Sequence, residues 1–579
     1  MLKRGLLLLL VIALAAGALV GCTTPAVQEP EEPKIMRLSR PDAGATGSHH
    51  TSALGNDNTM IRYYVGTLYD TVPSPDRMSA SLIPEFAADE PQNPSGDGTV
   101  WQIPIREDAK WANGEPINAD TFIYSWKMLI DPLMVNGQGV ALTSRYVNVL
   151  NADAYYKQGN SNTVAWEDVG IKKLDDYTLE ITLDGRYSKQ DVMRHFSWIA
   201  TAPVYEPLYE QYMNADRTAT QYGTSLETTM CSGAFRLTSW VVGAELVMEK
   251  NPHFPLADRV HMDGLVYTVV ENAGTRIQMF ENGELHYVGV PTGEIAAYMD
   301  DPRAMPTKTR TVAMIEVNSA HPDLPLDNIN LKKALYYGID RETIAELGSG
   351  VPAHYLVSNS VVAYGDGTTF RQLADQAGYL PPNHGYDPEL ALQYFNTAME
   401  EEGLSRLDLT INYNSGSDYY SLICEFLQES WPKLFGEDRF SLTLNGRPSA
   451  QNLEVTKSVT TNPRAYELTT SGWGRIATDY NPAEALLVWT SDYSNRNGMY
   501  QSDKIDALYA EARSEAARTD EKRLAEIAME AEQAFIDEVL ALPVGQSIGM
   551  VLMNEKLIPG LLEYEIDCGY ALRFADFEK

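Results

Sequence analysis

An α/β fold divided into two or three lobes is what this sequence predicts, and three observations predict it. Short strand-like runs alternate with helix-like runs to the C-terminus, as an α/β architecture requires. The chain has 579 residues, 44% of them apolar, enough to bury large cores and too many for a single one. Neither an internal repeat nor a low-complexity block replaces the alternation with a solenoid.

The elements justify this in order. Lys3 and Arg4 precede an apolar run from Leu6 to Val20 that ends in small residues, the pattern of an export signal. The run is shorter than the ~20 apolar residues that cross a bilayer. It closes with Leu19-Val20-Gly21-Cys22, which resembles a bacterial lipobox, so residues 1–22 are expected to be removed up to a lipid-bearing Cys22. Residues 23–34, TTPAVQEPEEPK, mix Pro and Glu with little to bury and predict an extended tether. Trp101, Ile103 and Ile105 alternate as a strand with one apolar face, and Pro104, which cannot donate to a ladder, argues for an edge. Asn113-Gly114 signals a turn, and Asn118 can cap a helix carrying Phe122, Trp126, Leu129 and Ile130 until Asp131-Pro132 stops it. A helix is expected near Asn330, with Leu331, Ala334 and Leu335 inward, Gly338 at its end and Asp340 capping the next. From Asp503 to Leu542 the stripe Ile505, Leu508, Leu524, Ile527 and Phe535 predicts two helices broken at Arg518-Thr519-Asp520.

Charge and motifs exclude several function classes. Without Lys3 and Arg4 the basic residues number 43 against 79 acidic ones, a formal charge of −36. A field of that sign repels phosphate backbones and disfavours docking on anionic lipid, so no nucleic-acid partner is expected and membrane contact only through the anchor. Beyond Cys22 the cysteines are Cys231, Cys424 and Cys568, which allow at most one bridge, so packing must stabilise the fold. The adjacent pair His49-His50 cannot supply a tetrahedral metal site alone and reads as a solvated loop. The sequence contains no His-Glu-x-x-His and no Cys-x-x-Cys, so a metalloenzyme has no support and no catalytic residue, metal or cofactor is expected. Paired carboxylates of a glycosidase are not excluded by counts in so acidic a chain.

Residues 99–132, TVWQIPIREDAKWANGEPINADTFIYSWKMLIDP, resemble the signature of the peptide-binding proteins of bacterial ABC importers, the family 5 extracellular solute-binding proteins. Ser232-Gly233-Ala234-Phe235-Arg236-Leu237 with Trp240 and Glu249-Lys250-Asn251-Pro252 continues the resemblance, as does ALYYGIDRETI at 334–344. Gly472-Trp473-Gly474 followed by Asp479-Tyr480-Asn481-Pro482 is similar to the family's ligand loop. The likeness runs from about Ile35 to the C-terminus and is weakest at 348–385 and 438–465. Two departures stand out: Ile476-Ala477-Thr478 lengthens the spacing to Asp479, and Pro104 occupies a strand position.

The resemblance implies a type II periplasmic-binding-protein fold with an extra lobe. Lobe I would hold 35–72, 176–308 and 548–579, lobe II 73–175 and lobe III 309–547, around a hinged cleft that closes on an oligopeptide. It implies delivery to an ABC permease and ATPase complex by a monomer outside the cytoplasm, without catalysis. Asp479 would meet the peptide ammonium, where a charge-assisted hydrogen bond is roughly twice as strong as a neutral one; by composition alone it is a turn residue. The backbone near Gly472, Trp473 and Gly474 would pair with the guest's main chain, glycine permitting close approach, although Trp473 equally suits a core. Arg475 could fork onto a ligand carboxylate or stand in solvent. Trp431 matches a tryptophan near the pocket, yet its helical setting favours a core role. Tyr146 falls where the smaller lobe approaches the ligand. Because Ile476–Thr478 disturbs the anchoring loop, a sugar, opine, haem or metal chelate is the alternative guest; a secreted hydrolase is the rival from another class.

Overall fold

The computed structural model describes residues 32–42, 46–51, 55–143, 147–307, 309, 311–361, 363–364, 368–473, 481–491, 502–518, 520–565 and 568–578. Cys22, Tyr146, Gly474, Arg475 and Asp479 lie outside them, as does the side chain of Trp473.

Four main sheets organise the chain. The first pairs Ile35–Arg40 in parallel with Gly264–Val269 and continues antiparallel through Glu245–Lys250 to Phe235–Val241. The second orders Tyr287–Gly289, Gly549–Met553 and Ala304–Thr307. These two sheets meet where His286 N–H donates to the Arg37 carbonyl at 2.9 Å. The third is Val100–Pro104, Thr178–Thr182 and Ile171–Asp175, all antiparallel. Pro104 sits in its outer strand, where the missing N–H costs no ladder bond and its carbonyl accepts from Ala88.

The fourth and largest sheet has six strands, in the order Gly350–Pro352, Leu542–Ser547, Val312–Val317, Leu468–Trp473, Leu407–Asn414 and Phe440–Arg447. Every residue of Val312–Val317 is buried, as a strand covered on both faces must be. Leu407–Asn414 runs parallel to both neighbours, and Val312–Val317 runs antiparallel to Leu468–Trp473 with Val312 opposite Trp473. Trp473, Asn414, Arg447 and the start of Val312–Val317 therefore lie along one edge. Two chain segments leave that edge side by side. One runs back from Val312 to Thr307, the other forward from Ser547 to Gly549, and Thr307 pairs with Gly549 in the second sheet.

Three large cores go with these sheets. One draws on residues 68–200, one on 36–267 together with 551–575, and the largest on 312–544. In the largest, the buried Glu532 carboxylate accepts from Leu356 N and Val357 N and from Arg371 and Tyr379 Oη, so the segment 355–379 is tied to the helix Glu521–Asp537 by a satisfied polar group.

The helix signals hold. Asn118 caps Ala119–Leu129 in a capping box with Thr121. The helix Ile329–Tyr337 starts from the Asn328 cap, Gly338 ends it, and Asp340 caps Arg341–Leu347. Asp503–Ala512 and Glu521–Asp537 are separate helices, the second capped by Asp520, but the first stops earlier than the 518–520 break suggests. Cys231, Cys424 and Cys568 are all free thiols.

His49 and His50 correct the sequence reading, being buried rather than solvated. His49 Nε2 bonds the Ala202 carbonyl at 3.0 Å and His50 Nδ1 lies 3.3 Å from Tyr209 Oη. An imidazole is compact enough to be buried once a backbone or phenolic partner takes one ring nitrogen, which periodicity does not reveal. Burial pushes His49 down to about 4, against the Ala202 hydrogen bond, and holds His50 well below its usual range, with the charge of His49 adding to the effect. The unfolded chain takes up these protons near pH 6.5, the folded one only near 4 for His49. Stability present above pH 6.5 is therefore lost as pH falls, by about 3 kcal/mol for His49. His49→Gln, which keeps an N–H for Ala202 but does not titrate, is expected to flatten this acid limb in urea unfolding between pH 7 and 4; an unchanged slope would refute the assignment.

Candidate functional site

The 68–200 and 312–544 bodies face each other across a cavity of about 730 Å³. One wall comes from the smaller body and includes Thr143, Asn148, Asp153, Tyr156, Lys157 and Asp184; the other includes Leu487, Thr490, Asp506, Tyr509 and Arg513. A direct link closes one side, where Arg513 Nη2 donates to Tyr187 Oη at 3.3 Å and Tyr187 Oη accepts from Asn148 N at 3.2 Å.

Local sequence explains both walls. In Asp503–Ala512 the residues Ile505, Leu508 and Ala512 are buried, one helical stripe against the large core. Asp506, Tyr509, Ala510 and Arg513 follow the same spacing one position on and face the cavity. Asp506 Oδ1 also accepts from Ser491 N at 2.8 Å, fixing the turn after the 3₁₀ helix Pro482–Trp489. On the facing wall Lys157 pairs with Asp153 at 2.9 Å across one helical turn, and Tyr156 Oη donates to the Asn136 carbonyl at 2.7 Å. Charges of both signs, amides and hydroxyls thus surround a space able to hold a zwitterionic chain molecule.

The edge of the six-stranded sheet supplies the other part. Gly472, one residue from the end of its strand, is exposed, and a Cβ there would lie 2.5 Å from Tyr420 Oη and 2.6 Å from Thr311 Cγ2. That close approach is why glycine stands at this position. Gly472→Val is expected to cost about 1–3 kcal/mol by overpacking, read as a lower denaturation midpoint, while a midpoint unchanged from the parent would show that Tyr420 and Thr311 yield freely. Trp431 lies elsewhere: it is fully buried in the 312–544 core, with Nε1 donating to the Gly338 carbonyl at 3.1 Å and its ring against Phe440. It does not line the cavity.

Asp479, Gly474 and Arg475 fall between Trp473 and the helix Pro482–Trp489, and Tyr146 falls between Thr143 and Asn148. Each of these undescribed stretches is thus continuous in sequence with residues of the cavity or the sheet edge. Asn148, Asp184, Asp506 and Arg513 were not singled out from sequence. For the last two the available signal was the second helical stripe; for the others there was none. Among the described residues no cluster of His, Cys, Asp or Glu is placed to hold a metal ion, and no helix is long and apolar enough to cross a membrane.

The 312–544 body is joined by paired strand connections to the second sheet and faces the 68–200 body across a polar cavity, the arrangement of the periplasmic-binding-protein class of fold. The chain belongs to the bacterial extracellular solute-binding proteins, family 5, matching that family over residues 81–498. The oligopeptide-binding protein OppA of Bacillus subtilis is 25% identical over 503 residues, spanning 83% of this chain and 82% of its own length. The dipeptide-binding protein DppE of the same organism is 26% identical over 507 residues, spanning 86% and 85%. The structure of Listeria monocytogenes OppA bound to peptide superposes with a TM-score of 0.77 at 20% identity, covering 94% of this chain and 99% of that one.

Proposed function

We propose that this protein is the substrate-binding lipoprotein of an ABC importer, capturing oligopeptides in the cavity between its bodies and delivering them to a permease and ATPase complex. The observation that carries the proposal is the cavity of about 730 Å³ walled from both sides by polar groups of both signs. Membership of the family and the peptide-related names of its relatives support the class of guest. The reading keeps three lobes and a hinge, set where the six-stranded sheet gives way to the second sheet beside the Thr307–Gly549 pair. Closure about that hinge would be favoured by no more than the guest's differential affinity for the closed form.

Asp479 is assigned to the peptide ammonium, the Gly472–Gly474 backbone to the guest's main chain, and Arg475 and Tyr146 to its remaining polar groups. A lipid on Cys22 would hold the monomer at the outer face of the plasma membrane, with residues 23–34 as tether. Calorimetry of the mature protein with a mixed peptide library tests the proposal. Saturable heat, competed by free peptides and not by sugars, opines, haem or metal chelates, is the expected result; absence of heat and of any thermal shift would overturn it.

A further inference from the structure

A second cavity, of about 300 Å³, lies inside the body built on the first two sheets. Its floor is the sheet itself, through Leu38, Ser39, Tyr267 and Tyr287, and its roof is the helix Gly55–Tyr64 together with the C-terminal turn around 568–574. None of its described lining residues comes from 311–547, and none is shared with the proposed peptide cleft.

Its chemistry is specific. The guanidinium groups of Arg62 and Arg573 both reach it, and the only carboxylate among the described lining residues is Asp70. Asp70 is ion-paired with Arg573 and stands 3.9 Å from Arg62 Nη1. Among the described residues Arg62 has one further, long contact, a 3.5 Å hydrogen bond from Nη2 to the Ser197 carbonyl, while Arg573 Nη1 is committed to the Arg62 carbonyl at 3.2 Å. Glu85 also feels Arg62, but burial pushes that carboxyl up to about 8 and it does not line the cavity. The described wall therefore carries two guanidinium groups to one carboxylate in a half-open space, with Arg62 partly exposed and able to offer its fork to an anion. Burial, with the neighbouring charge of Arg62 adding to it, pushes Arg573 down to about 9.

The rest of the wall is aromatic. Tyr63 and Tyr267 stand edge to face at 5.9 Å, and Tyr564 and Tyr570 at 5.3 Å, with Tyr287 between strand and turn. Such rings prefer a flat partner in offset or edge contact. The volume is about twice the ~150 Å³ that accommodates a benzene, leaving room for a ring bearing one carboxylate, and a guanidinium fork matches carboxylate geometry.

We infer that this cavity is a second ligand site, for a small aromatic monocarboxylate whose carboxylate pairs with Arg62 and whose ring lies among the tyrosines. It is occupied independently of the peptide cleft. Calorimetric titration of the full mature protein, saturated with peptide, with benzoate and separately with inorganic phosphate tests this. The expected result is saturable benzoate binding that Arg62→Met weakens at least tenfold and Tyr287→Phe weakens less, with peptide affinity unchanged in both variants. Neither change removes a core-filling ring, and circular dichroism verifies their fold. Absence of saturable benzoate binding, binding of phosphate in its place, or benzoate binding indifferent to Arg62→Met would each overturn the inference.

Discussion

Replacing Trp431 by alanine is expected to destabilise the 312–544 body by about 3–5 kcal/mol, the range for emptying a large aromatic site in a packed core. The indole is fully buried and packs near Phe440, inside the cluster that also stacks Phe395 on Phe435. Truncation would also strip the Gly338 carbonyl of its 3.1 Å donor, adding part of the cost of an unsatisfied buried acceptor. The helix Asp418–Phe435 carries Trp431 on the same stripe as Ile423, Cys424 and Leu427, so its loss loosens the packing of that helix against Leu407–Asn414 and Phe440–Arg447. Urea unfolding followed by fluorescence and circular dichroism is the measurement, and the three cores call for fitting the transition of this body separately. Peptide affinity under folding conditions should change less than about threefold, since the residue does not line the cavity. A large loss of affinity with stability intact would instead return Trp431 to the ligand pocket.

Asp479→Asn is the second, and its effect falls on binding. If a peptide ammonium is held by this carboxylate in a cleft closed from water, removing the charge while keeping the shape is expected to weaken binding by about 2–5 kcal/mol, since it leaves the ammonium buried and unpaired. Stability without peptide should be nearly unchanged. The discriminating control is a peptide with an acetylated N-terminus: it should bind the parent weakly and lose little further on Asp479→Asn. Equal losses for free and acetylated peptides would remove Asp479 from the ammonium site without touching the assignment of the cavity.

Legibility differed from element to element. The helix Ala119–Leu129 was readable because Asn118, the apolar stripe and Asp131-Pro132 are local signals that agree with the final packing. Val100–Pro104 was readable as an edge because proline states its own hydrogen-bonding limit. His49-His50 was misread because what buries them, the Ala202 carbonyl and the Tyr209 hydroxyl, lies about 150 residues away. The stripe Ile505 and Leu508 was correctly assigned to a core, yet the neighbouring stripe that faces the cavity reads as ordinary solvated helix surface until the facing wall is in place.

By itself the sequence determined the α/β class, the helix caps and the acidic surface, because these depend on residue type, spacing and composition within short windows; the family came from the resemblance of whole motifs. Only the tertiary structure decided which polar residues share a cavity: Asn148, Asp184, Asp506 and Arg513 come from segments hundreds of residues apart. It likewise brought Arg62, Asp70 and Arg573 together. The physical reason is that strand order and body-to-body packing are set by burial of apolar surface summed over the whole chain, and no local pattern encodes where that sum places two distant side chains.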